Sequence, residues 1–65
     1  MIIIKLPKQK EIQVLPVYTK LSEIELENIA LENQLDKYEV KEHETFKCVN
    51  RTFEFEYYSY TFKYN

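Results

Sequence analysis

Glycine and tryptophan are absent from this 65-residue chain, and cysteine, histidine and methionine occur once each. Each absence removes a class of function. Without glycine there is no Gly-rich phosphate loop, no nucleophile elbow and no Asn-Gly hairpin turn. A helix must also end without its usual glycine cap. Cys48 alone cannot form a disulfide within the chain, and a lone thiol suits a reducing, cytoplasmic setting. With His43 the only histidine, an intrachain zinc site would need carboxylates for at least two of its four ligands, an uncommon set. No cofactor is therefore expected. Apolar runs fall far short of the ~18 residues of a membrane span. The opening MIIIKLPKQK turns polar too soon for a signal peptide. The expectation is a soluble cytoplasmic protein that does not enter a membrane.

The charge present is unevenly placed. Residues 1–20 balance at +3, residues 21–44 at −6 and residues 45–65 at +1, within a net −2. The positive end comes from Lys5, Lys8, Lys10 and Lys20, and the acidic middle is a poor footprint for duplex DNA. The size allows one domain, 1–65, in which a chain this short buries only about 60% of its unfolded surface. Such domains usually add a disulfide, a metal or a partner subunit.

MIIIKL and IQVLPVY read as two strands of a hairpin around PKQKE. Pairing Leu6 with Ile12 and Ile4 with Val14 sets apolar groups opposite each other, with Lys5 facing Gln13 and Ile3 facing Leu15. A register one residue away pairs Ile4 with Gln13 and is less favourable. Pro16 has no amide to donate and should face off a sheet edge. Ser22 and Glu25 form a capping box, stapled by Leu21 and Leu26, so a helix starts at Ser22. It either ends near Lys37 or runs on to about Glu44.

The last fourteen residues, TFEFEYYSYTFKYN, hold seven aromatics whose alternation breaks at Tyr57-Tyr58. With a turn at Asn50-Arg51, Cys48 faces Phe53, Lys47 faces Glu54, Phe46 faces Phe55 and Thr45 faces Glu56. A bulge in which Tyr57 and Tyr58 both oppose Glu44 then lets Glu42 face Tyr60, Val40 face Phe62 and Glu39 face Lys63. It keeps most of the aromatics on one face. The predicted fold is α+β: β-β-α-β-β, a four-stranded antiparallel sheet of two hairpins with one helix packed on a face.

The helix has two apolar sides. Ile24, Leu31, Leu35 and Tyr38 fall within about 60° of one another at 100° per residue and should meet the sheet. Leu26, Ile29 and Ala30, flanked by Asn33, then form a candidate contact patch for another chain. A second candidate surface joins Glu42, Glu44, Tyr58 and Tyr60. A carboxylate on the aromatic face is costly unless a tyrosine hydroxyl bonds it or the site stays wet. Left uncovered, that corner suits a basic protein.

Signals for chemistry are weak. His43 points away from Glu42 and Glu44 in a strand and has no nucleophile beside it, so it reads as a solvated histidine. Cys48 reads as a small buried hydrophobe. Base stacking by the aromatics lacks a positive groove, so nucleic acid is an unfavoured partner. The function expected is a non-enzymatic protein-binding module or inhibitor that occupies a surface on a larger, host protein and forms a homodimer. Such small chains are often encoded by bacterial viruses or mobile elements. The alternative is a nucleic-acid-binding accessory protein using the basic lysines and the Tyr-rich strand.

Overall fold

The computed structural model describes residues 1–50 and 53–65, and the side chains of these except 48–50, 53 and 54. In chain order the elements are β1 (Ile2–Leu6), β2 (Glu11–Val17), α1 (Glu23–Glu32), β3 (Tyr38–Asn50) and β4 (Phe53–Tyr64). This is the expected α+β fold, with sheet order β1-β2-β4-β3 and every neighbouring pair antiparallel. β2 and β3 are therefore parallel, joined by the crossover helix α1, with β4 between them.

Ser22 caps the helix as its sequence predicts. Its Oγ accepts the Glu25 N–H at 3.2 Å and lies 3.2 Å from Glu25 Oε1. The helix ends earlier than expected, at Glu32. Asn33 is the cap residue and Gln34 takes a left-handed φ of 60° where glycine is usual. The Gln34 N–H donates to Leu31 O and the Leu35 N–H to Ala30 O, the two bonds of a Schellman motif. Leu35 then packs against the core, supplying the hydrophobic contact of that motif.

This early stop inverts the predicted helix orientation. Leu35 and Tyr38 lie outside the helix and cannot extend the stripe begun by Ile24 and Leu31, which are 70% and 75% exposed. Leu26, Ile29 and Ala30 instead share a continuous apolar surface with Leu21 and Leu35 and face the sheet. Ile29 and Ala30 are buried with Ile12, Val14, Tyr60 and Phe62, and Leu26 packs against them. Ile29 and Ala30 are core and Leu26 is half-buried against them, so the exposed contact patch expected there is not present. At about 1.5–3 kcal/mol for burying a large apolar side chain, so small a core leaves a thin margin of stability.

The first hairpin also departs from expectation. Its pairs are Leu6↔Glu11, Lys5↔Ile12, Ile4↔Gln13, Ile3↔Val14 and Ile2↔Leu15. Turn geometry outweighs side-chain matching here. The Gln9 N–H donates to Leu6 O, the Lys10 N–H donates to Pro7 O, and Lys10 at φ 55° reverses the chain so that Glu11 meets Leu6. A one-residue slip exchanges the faces of a strand. Ile3 and Lys5 thus share the helix side with Val14 and Ile12, and Ile2, Ile4 and Leu6 lie on the open side.

The ladder between β3 and β4 is unbroken from Tyr38↔Tyr64 to Cys48↔Glu54, so the bulge expected at Tyr57-Tyr58 is absent. Glu44 faces Tyr58 alone and Thr45 faces Tyr57. The expected pairs Glu39↔Lys63, Val40↔Phe62 and Glu42↔Tyr60 are present, whereas Phe46 meets Glu56 and Lys47 meets Phe55. One register shift lies next to the turn, between Cys48 and Asn50. The expected turn includes Arg51, outside the described residues. A second shift lies in β2, where Val14↔Tyr60 is followed by Val17↔Tyr58. Pro16, cis to Leu15, occupies that bulge in an inner strand rather than a sheet edge.

Candidate functional site

Because β2 ends at Val17↔Tyr58, β3 and β4 continue past it paired only with each other. They form a two-stranded arm on a molecule measuring 44 × 25 × 16 Å. At the root of the arm, on the helix side, alternation aligns three rows: Val14–Tyr60–Glu42, Val17–Tyr58–Glu44, and Glu56–Phe46. The structure thus brings Glu42, Glu44, Tyr58 and Tyr60 together and adds Glu56, Phe46 and Lys20, but it buries Tyr60, which is therefore no part of the exposed surface expected there.

The carboxylate on the aromatic face is satisfied by a tyrosine. Tyr60 is buried, accepts the Leu21 N–H at 3.0 Å and donates its own hydroxyl to Glu42 Oε1 at 2.9 Å. Burial pushes the Tyr60 hydroxyl above its ordinary range; the Leu21 N–H opposes that shift and the Glu42 carboxylate adds to it. Lys20 Nζ lies 3.7 Å from Glu42 Oε2 and 5.9 Å from the centre of the Tyr58 ring. Tyr60 therefore ties the helix approach to β3, and Glu42 passes the connection to Lys20.

Farther out, Glu44 and Glu56 meet diagonally across the ladder. A side-chain hydrogen bond to Glu56, and its negative charge, hold the Glu44 carboxyl above the usual range. Glu56 is held below it because the Tyr58 hydroxyl and Glu44 both hydrogen-bond to it. Tyr58 is pushed up to about 12, chiefly by donating to Glu56. The two carboxyl groups keep one proton between them longer than isolated carboxylates would. A lysine or arginine reaching the pair would favour its fully ionised form.

The opposite side of the arm holds residues that sequence reasoning missed. Without the expected bulge, Phe55 and Tyr57 turn to the open face beside Tyr18, with ring centres 6.1 Å apart for Phe55–Tyr57 and 6.4 Å for Tyr18–Phe55. Unbroken alternation through Tyr57-Tyr58 was the signal for this split. Glu56 and Phe46 were also missed, because the expected register placed Glu56 opposite Thr45.

The other candidates stand apart. Asn33 donates its side-chain amide to Ile29 O at 2.7 Å and serves the helix end. His43 is exposed on the open face, 3.5 Å from the Thr61 hydroxyl. The Cys48 side chain lies outside the described residues. Lys8 and Lys10 sit in the β1–β2 turn, at the end of the sheet where Glu11 faces Lys63, away from the arm. Among the described residues no group of three or more His, Cys, Asp or Glu could hold a metal ion, and no helix is long and apolar enough to cross a membrane. No family model, curated protein or solved structure matches the chain.

Proposed function

We propose that this protein is a non-enzymatic binding module that uses its projecting arm to occupy a basic surface on a larger protein of a host cell, acting in the cytoplasm. One observation carries the reading. The arm extends past β2, and its Phe46 is 61% exposed beside the Glu44–Glu56 pair. An exposed aromatic with carboxylates at its rim is the composition of an interface core that takes up a cation. The aromatic cluster behind it gives the same hairpin a second contact side, and tyrosine is favoured at such places. The buried state of Tyr60 and Phe62, and the distance between the turn lysines and the arm, favour a protein partner over a nucleic acid.

A cation beside the pair favours the ionised form of Glu44, so affinity should rise as pH rises through the Glu44 titration. The test is capture from extract of the source cell, with the wild-type chain and a Phe46→Ala, Glu44→Lys variant side by side. The expected result is one basic protein captured in stoichiometric amount and lost with the variant. Equal capture by both chains removes the arm from the reading.

A further inference from the structure

The sheet has two free edges, and they are built differently. β3 offers the outside world Glu39, Lys41, Glu42, His43 and Glu44, a charged edge of the kind that discourages pairing with other strands. β1 offers Ile2-Ile3-Ile4-Lys5-Leu6, with one charge, no proline and no register shift in its ladder with β2. Ile2 is 59% and Ile4 39% exposed, and Met1 and Ile3 are exposed beside them. One side of β1 is hydrogen-bonded to β2, and its other main-chain side has no neighbouring strand in the sheet.

This edge is its own complement. An antiparallel pair centred on Ile4 sets Ile4 against Ile4 of the second copy and Ile2 against Leu6, all on the open face. On the helix side Ile3 meets Lys5, whose aliphatic stem can cover it while its ammonium stays in water. Every position finds an apolar surface, and the outward backbone groups gain partners.

We propose that two copies of this chain pair antiparallel through β1, joining their sheets into one of eight strands with an arm at each end. The inference stands independently of the arm's partner. Light scattering on the purified protein should give about 16 kDa, twice the 8.0 kDa chain. Ile4→Lys sets like charges opposite each other only in this arrangement and should return the mass to one chain, with the amide spectrum still that of a folded protein. Mixing Ile4→Lys with Ile4→Glu chains should restore the doubled mass. Val40→Lys, on the other edge, should leave it unchanged. A single-chain mass for the unsubstituted protein at every concentration overturns the proposal. So does a dimer that Ile4→Lys leaves intact, or one that the Lys and Glu mixture fails to restore.

Discussion

β3 and β4 run through both the body of the sheet and its arm, yet the two regions differ in what covers them. In the body, Tyr60 and Phe62 of β4 lie under α1, enclosed by Ile12, Val14, Ile29 and Ala30. A few residues earlier in the same strand, Glu56 faces an exposed Phe46 with no helix above. Strand pairing alone thus continues where packing stops. The lesson is that β-sheet hydrogen bonding sets how far the hairpin reaches, whereas the length of the helix sets how much of it is core.

The widest contrast comes from one substitution at each place. Phe62→Ala should cost about 3–5 kcal/mol, the usual range for a fully buried phenylalanine, and urea denaturation should show a chain close to unfolded. Phe46→Ala should move the same midpoint by no more than ~0.5 kcal/mol, as for a surface side chain. A comparable loss at both sites would mean that the arm is packed in solution. At the junction, Tyr60→Phe keeps the ring but leaves the Leu21 N–H without its acceptor, and Glu42 without its donor. The expected loss is about 1–2 kcal/mol, between the two extremes. The smallest effect is electrostatic. In Glu56→Gln the Glu44 titration, followed by carbon NMR, should fall back toward the ordinary carboxylate value; an unmoved midpoint would break the assigned pairing. In the native chain the two groups act on stability in opposite directions. Glu44, raised, favours the fold at low pH and loses that contribution as pH rises through its midpoint. Glu56, lowered, favours it above the ordinary range and loses that contribution as pH falls.

Some of this was written plainly in the sequence. Ser22 and Glu25 announce the helix start because a capping box is a local device with one geometry. The far end of the long hairpin was legible from Glu39, Val40 and Glu42, which find sensible partners in Lys63, Phe62 and Tyr60. The corner of Glu42, Glu44, Tyr58 and Tyr60 followed from that register. The side of α1 that meets the sheet was not legible, because Ile24 and Leu31 compete with Leu26, Ile29 and Ala30. Only the stop at Glu32 decides between them, and no glycine marks it. The first hairpin failed for a related reason: a left-handed Lys10 is one of many residues that a glycine-free turn could have used.

The position of β4 carries a consequence for how the molecule comes into being. The last of the four strands to leave the ribosome lies between two that were made before it. Until it arrives, β2 and β3 have no common neighbour, and Tyr60 and Phe62, which complete the core under α1, are still being synthesised. A nascent chain can close the β1–β2 turn and wind the helix, but it cannot assemble the sheet by stages. Pairings so distant along the chain make for slow folding, and the sheet cannot close until β4 has been made.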